Sequence, residues 1–212
     1  MVYWILLLIT AFFAYLFGSL DTMVLASNFV FHRNLRRLGD SRTWISNFHR
    51  LYGIGGFARL LAVELVKDLL PILLGSLLLG IKGHADAGRC FAGFVMVLGR
   101  LWSLLYDFKG SHATVAMVVA AFAADTSVGA AVLVFTAAAV LITRYVSLGT
   151  VMGAVVYAVV AVLVLDDSLL LRLALFTVGL VLIKHIPAMI RLLRRTEPQF
   201  SFEQDITYKL DE

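Results

Sequence analysis

Charged side chains are scarce in this chain: 15% of its 212 residues are Asp, Glu, Lys or Arg, 61% are hydrophobic, and the mean hydropathy is +0.91. A soluble core of this size cannot hide so much apolar surface, which excludes a water-soluble globular domain. Cysteine is nearly absent. The one copy, Cys90, lies in an apolar stretch and forms neither an internal disulfide nor a cysteine metal cluster, so a small buried side chain is its simplest role. Histidine offers no metal site either, because His32, His49, His84, His112 and His185 are scattered, with no pair three or four residues apart. Nothing in the sequence calls for a cofactor. The chain also lacks a basic start and a small-residue cleavage site. Its apolar run from Val2 to about Val30, interrupted only by isolated polar residues such as Asp21 and Asn28, therefore reads as a retained first span. Paired Gly/Pro interruptions of the kind that mark the broken helices of transporters are missing, as are internal repeats and any soluble domain.

What is present is a series of apolar runs, at about 2–30, 54–80, 90–106, 113–124, 128–142, 145–165 and 169–183. The fourth and fifth are each shorter than the ~20 residues that cross a bilayer, and only Asp125, Thr126 and Ser127 separate them. Charge decides between one helix and two. With two, one side of the membrane collects fourteen Lys and Arg residues against three on the other (Lys82, Arg89 and Arg172), with Lys67 inside a span. Merging them leaves nine against eight and abolishes the asymmetry that orients membrane proteins. The expectation is an all-α, polytopic membrane bundle of about seven helices, since an open sheet would leave backbone groups unpaired in lipid. The N-terminus is expected outside and the C-terminus in the cytoplasm, with residues 1–195 forming one membrane-embedded domain and 196–212 a polar cytoplasmic tail. The net charge of +4 is interleaved with the spans rather than carried on a separate soluble face, which points to anionic lipid and phosphorylated substrates and away from nucleic acid.

Several polar residues sit where a membrane protein needs a reason for them. The second span carries Arg59, Glu64, Lys67 and Asp68; Glu64 shares a helix face with Lys67 and with Asp68 and is expected to pair with Lys67. That face looks into the protein, either as a structural ion pair or as the lining of a polar pocket. The first cytoplasmic segment mixes arginines, among them Arg42 and Arg50, with Gly39, Asp40, Ser41, Thr43, Ser46 and Asn47. A solvated loop explains the charges, whereas hydrogen-bonding and small residues beside arginine suit phosphate oxygens. The loop Phe108-Lys109-Gly110-Ser111-His112 repeats that chemistry ahead of a helix, where Gly110 and Ser111 can offer backbone N–H groups to an anion beside Lys109. His185 falls where the last span leaves the membrane, followed by Arg191, Arg194 and Arg195 at helical spacing; these read either as positive-inside anchors or as ligands.

Together these segments resemble the bacterial acyl-phosphate:glycerol-3-phosphate acyltransferases of the PlsY type, over nearly the whole chain from Gly18-Ser19 to Glu197-Pro198. The best-matching piece is Leu141-Ile-Thr-Arg-Tyr-Val-Ser-Leu-Gly-Thr150, which contains Arg144 and Ser147. Next is Glu64-Leu-Val-Lys-Asp-Leu-Leu-Pro71, similar to the family's Asp-Ile-Leu-Lys-Gly-Ala-Leu-Pro. Lys184-His185 through Arg191 to Thr196-Glu197-Pro198 resembles the third family motif. The departures are concentrated in the polar site. The first motif keeps Gly39, Asn47 and Arg50, but Asp40 replaces its serine and Arg42 its first asparagine. The second has Gly99-Arg100 for Gly-His and Gly110-Ser111-His112-Ala113 for Gly-Gly-Lys-Gly. The third keeps His185 and Arg191 but has Ala188 for asparagine.

The resemblance implies a membrane-embedded acyltransferase of lipid biosynthesis, in the bacterial cytoplasmic (inner) membrane. It would move an acyl chain from an activated donor, acyl phosphate, to a hydroxyl acceptor such as glycerol 3-phosphate. His185 and Asp40 would then serve as the proton-accepting pair. Gly39, Asn47, Arg50, Lys67, Arg100, Lys109, Gly110, Ser111, His112, Arg144, Ser147 and Arg191 would bind substrate. The alternative is a non-catalytic relative that binds lipid or a partner membrane protein.

Overall fold

The computed structural model describes residues 2–22, 44–106, 108, 110, 113–197, 199 and 200, without the side chains of 44–52 and 106. Among these residues there are seven α-helices and no strand: α1 (Val2–Ser19), α2 (Trp44–Gly80), α3 (Ala85–Leu101), α4 (Thr114–Ala124), α5 (Thr126–Thr143), α6 (Val146–Val164) and α7 (Ser168–Leu193). A short 3₁₀ turn, Leu104–Tyr106, follows α3. Four helices, α1, α5, α6 and α7, are long and apolar enough to cross a membrane by length and composition. Their outward faces carry large exposed side chains such as Leu8 and Phe12 on α1, Val134 and Phe135 on α5, and Val159 and Leu163 on α6. A surface of this kind is incompatible with water and matches lipid tails.

Two features show how sequence sets the helix boundaries. Gly53 breaks the regular course of α2 with φ 64° and ψ −168°, a conformation essentially restricted to glycine, and the break falls just before the apolar run that starts at residue 54. Asp125 ends α4 and begins α5. Its backbone is extended (φ −161°, ψ 149°) and its carboxylate accepts the Ser127 N–H at 2.7 Å, so the two short apolar runs are separate helices. At only 11 residues α4 is too short to cross a bilayer alone. It has no need to face lipid along its length, because residues 116–121, 123 and 124 are buried against other helices.

The centre of the bundle is α3, which packs against α1, α2, α4 and α7. Small residues allow these approaches. A Cβ on Gly88 would collide with the Gly75 carbonyl of α2, and one on Gly18 would strike the Met96 carbonyl, so each of these crossings needs a bare backbone. The core then fills with Ala92, Met96, Val97 and Leu101 of α3, Met117 and Ala120 of α4, Tyr157 of α6 and Val181 of α7.

Polar contacts sort the helix ends into two groups. The Tyr15 hydroxyl donates to Trp102 O at 2.6 Å, Ser103 Oγ donates to Ser19 O at 2.7 Å, and the Thr114 and Thr150 hydroxyls lie 2.6 Å apart. The ends of α1 and α3 thus lie together, as do the starts of α4 and α6. At the other end Tyr3 meets the ring of His84, 5.7 Å between centroids. This up-and-down arrangement is the one the seven-run reading requires.

Candidate active site

The end that gathers the last turns of α1, α3 and α7 holds the buried charge found among the described residues. No basic residue occupies the last turn of α1, although the carbonyls of a helix C-terminus lack partners and carry partial negative charge. Two cations from other helices supply what is missing: Lys67 Nζ of α2 donates to Leu20 O at 3.2 Å, and Arg100 Nη1 of α3 donates to the same carbonyl at 3.1 Å. Arg100 Nη1 also reaches Thr22 Oγ1 at 3.3 Å, while Nη2 forms an ion pair with Glu64. Lys67 Nζ sits 2.9 Å from Asp68 Oδ1. Glu64, Lys67, Asp68 and Arg100 are all at most 5% exposed, and their two positive and two negative charges balance.

This corrects the expected pairing within α2. Glu64 and Lys67 share a face, but Glu64 takes Arg100 and Lys67 takes Asp68. The physical reason is tertiary. The Leu20 carbonyl draws Lys67 toward α1, and a guanidinium from α3 presents Glu64 with a better hydrogen-bonding fork than a lysine on its own helix.

His185 lies roughly 26 Å along α7 from Ser168, at ~1.5 Å per residue, a length close to the ~30 Å of a hydrocarbon layer. It is 4% exposed, and its Nδ1 is 2.8 Å from Val181 O. A carbonyl only accepts, so Nδ1 carries the hydrogen and the lone pair of the neutral ring is on Nε2. Beside it Lys184 stacks on Trp102, with Nζ 5.2 Å from the ring centroid, which joins the ends of α7 and α3. Nearly two turns further on, Arg191 Nε donates to Glu197 Oε2 at 2.7 Å and Thr196 N donates to Arg191 O at 2.9 Å. The Thr196-Glu197 pair therefore holds Arg191 in place. The chain then crosses to the α5–α6 junction, where Phe200 N donates to Arg144 O at 2.7 Å and Gln199 Nε2 to the Tyr145 hydroxyl at 2.9 Å.

The remaining expected site residues divide clearly. Arg144 ends α5 in a left-handed conformation, φ 60°. Ser147, in the first turn of α6, is 2% exposed, and its Oγ has no hydrogen-bond partner among the described residues. Gly110 lies directly on the end of α3, where a Cβ would collide with the carbonyl oxygens of Arg100 and Leu101. Asn47 and Arg50 belong to the first turns of α2 by their backbone, with side chains beyond what is described. Gly39, Asp40, Lys109, Ser111 and His112 lie outside the described residues. Among those that are described, no group of three His, Cys, Asp or Glu is placed to hold a metal ion.

A family model for glycerol-3-phosphate acyltransferase matches residues 8–195. The chain belongs to the glycerol-3-phosphate acyltransferase family. Among curated members it is 23% identical over 198 residues to a glycerol-3-phosphate acyltransferase of Thermoanaerobacter sp. (strain X514), covering 93% of this chain and 98% of that one. It is 30% identical over 189 residues to that of Trichlorobacter lovleyi, covering 88% and 94%. Among solved structures the fold matches the glycerol 3-phosphate form of PlsY (YgiH), an integral membrane glycerol 3-phosphate acyltransferase, with a TM-score of 0.76, 22% identity, and 92% and 96% of the two chains covered. The lysophosphatidic acid form of PlsY matches with a TM-score of 0.74. The protein is thus a multi-pass membrane member of this family.

Three departures from the family's motifs fall on residues that are buried here: Arg100, Ala113 and Ala188, each at most 5% exposed. Sequence reasoning singled out His185, Arg191 and the α2 charges without the partners that give them their geometry. Glu64 and Arg100 are 36 residues apart, and nothing local links them. Glu197 was closer to hand, since it stands six residues after Arg191 in the same motif.

Proposed function

We propose that this family member is an active acyltransferase that moves an acyl chain from acyl phosphate to a hydroxyl of glycerol 3-phosphate at the cytoplasmic rim of the inner membrane. The observation that carries the reading is the imidazole of His185. It is buried at the rim and held by Val181 O through Nδ1, the tautomer that leaves the basic lone pair on Nε2. In this reading Nε2 takes the proton of the acceptor hydroxyl as its oxygen attacks the acyl carbon, and the negative charge of Asp40 favours the imidazolium that forms. An ester C–O bond forms, the bond between the acyl carbon and the phosphate oxygen breaks, and the proton passes to the departing phosphate. Arg50, Asn47, Gly39, Lys109, Ser111, His112 and Arg144 supply donors for phosphate and the developing oxyanion. Arg191 is held ready by Glu197, and the unpartnered Ser147 hydroxyl gains a partner when substrate enters.

The test is transfer by purified protein in lipid vesicles, given acyl phosphate or, in a separate arm, an acyl-carrier thioester, with products read by mass spectrometry. Monoacyl glycerol 3-phosphate from acyl phosphate is expected; folded protein that makes no ester from either donor overturns the reading. One observation favours a second reading, a non-catalytic relative that binds lipid or a membrane partner. The Arg100 guanidinium, at a position where the family carries histidine, is committed to Glu64 and to the end of α1. Orientation is tested separately. Cysteines placed near Asp125 and Asp167 should react with an impermeant reagent added outside, and one near Lys109 should not.

A further inference from the structure

The family resemblance invites Arg100 to be read as a substrate ligand, yet its surroundings point elsewhere. The side chain is 2% exposed, one terminal nitrogen serves Leu20 O and Thr22 Oγ1, and the other serves Glu64. Each partner belongs to a different part of the chain from Arg100 itself. Leu20 and Thr22 are the exit of α1, and Glu64 is the middle of α2. The sequence between Thr22 and Trp44 carries Gly39 and Asp40, the first residues of the matching first motif. The exit of α1 is therefore where the course of that segment begins.

We propose that Arg100 is a positioning residue, paired with Glu64, that clamps the exit of α1 to α2 and α3 and so fixes the point from which the chain continues, in sequence, to the first motif. Two further observations support the clamp. Lys67 donates to the same Leu20 carbonyl, so two cations converge on one helix end that has no basic residue of its own. Ser19 is held from both sides as well, its carbonyl by Ser103 Oγ at 2.7 Å and its hydroxyl on Gly99 O at 3.4 Å. The planar guanidinium can serve two directions at once, which a lysine ammonium or an imidazole cannot do with the same geometry. Glu64 then has a stated role: it neutralises a cation that would otherwise be stranded in a buried site.

The catalytic part of this inference rests on the acyltransferase reading, whereas the structural part does not. The experiment compares Arg100→Gln, Arg100→Lys and Glu64→Gln with the unaltered protein in vesicles. Backbone hydrogen exchange of the peptide ending at Thr22 is followed beside KM and kcat for each substrate. Exchange at residues 20–22 should rise about tenfold or more in Arg100→Gln and in Glu64→Gln alike. KM for glycerol 3-phosphate should rise by similar factors in both, with KM for the acyl donor unchanged, and Arg100→Lys should recover part of each effect. Arg100→Gln raising KM for glycerol 3-phosphate while Glu64→Gln leaves KM and exchange as they were would make Arg100 a substrate ligand and overturn the proposal. Equal exchange in all four proteins overturns it too. If the unaltered protein transfers no acyl chain, the acyltransferase reading fails, and the exchange arm alone decides the clamp.

Discussion

The two ends of the bundle solve the same problem by different means. At one end two helix starts, those of α5 and α7, are capped from within their own sequence. Asp125 accepts Ser127 N–H and Asp167 accepts Leu169 N–H, both at 2.7 Å, and both bonds are exposed to solvent. At the other end the exit of α1 is capped by Lys67 and Arg100 from other helices, and the compensating carboxylates Glu64 and Asp68 are buried with them. Local caps are cheap, replaceable and independent of the rest of the fold. A buried tertiary cap costs desolvation of every charge in it and is held only while the helices stay packed. Such an arrangement belongs where several segments must keep a fixed geometry. This is also the end that holds His185, Arg191 and Ser147.

Removing the proposed proton acceptors should have the largest effect. His185→Ala and Asp40→Ala should each lower turnover by roughly 10²–10⁴, the usual contribution of a general base. The double variant should be little slower than either single one, because residues acting as a unit do not multiply. Losses that multiply in steady-state assays would mean the two act separately. Asp40→Ser restores the residue of the family motif, and a gain in glycerol 3-phosphate acylation would identify Asp40 as a change in acceptor preference.

Breaking the buried cap comes next. Lys67→Ala leaves Asp68 without its cation in a site almost closed to solvent, and a loss of ~3–5 kcal/mol is expected. A matching drop in melting temperature in detergent is the readout, and Lys67→Ala with Asp68→Ala should recover part of it. An unchanged melting temperature in the single variant would mean that this end is hydrated and the contrast between the ends is lost.

Gly88→Ala probes the packing that brings α2 and α3 together, because the new methyl meets the Gly75 carbonyl. A cost of about 1–3 kcal/mol is expected from overpacking, read in the same melting assay. A neutral result would show that the two helices can slide apart without disturbing the clamp.

The smallest effect belongs to the opposite end. Asp125→Ala should cost about 0.5–2 kcal/mol, the range for losing an N-cap, and should leave acyl transfer unchanged. The Ser127 hydroxyl and N–H hold the Asp125 carboxyl below its ordinary value of 3.8. A depressed folded-state pKa means that the cap's contribution is fully present above that ordinary value and is lost as pH falls below it. Thermal melts of the wild type and Asp125→Ala should therefore converge on acidification below about pH 4. A difference that persists undiminished in acid would show that the carboxylate charge is not what caps α5.

The same contrast explains how much could be read in advance. A helix in each of the seven apolar runs and the break at Asp125 were legible, because each depends on residues adjacent in sequence, whereas the bounds were not: α1 ends at Ser19, short of the expected Val30, and α2 begins at Trp44, ahead of its apolar run, with the interruption at Gly53 between. Lipid solvation demands long internally bonded helices, a capping carboxylate acts within three residues, and a glycine with positive φ acts at its own position. That the α2 charges need buried partners was legible too, since charge in an apolar run has to be answered by something. What answers it was not. Glu64 was expected to take Lys67, one turn away, and takes Arg100 from α3. Gly110, read as an anion-binding glycine, is needed where the chain passes over the end of α3. Helix formation in lipid is decided by the neighbours along the chain, so the amino-acid sequence alone determined how the described helices alternate with their connections. Which buried charge meets which depends on how helices distant in sequence are packed, and only the tertiary structure decided that Arg100 and Lys67 would close the end of α1.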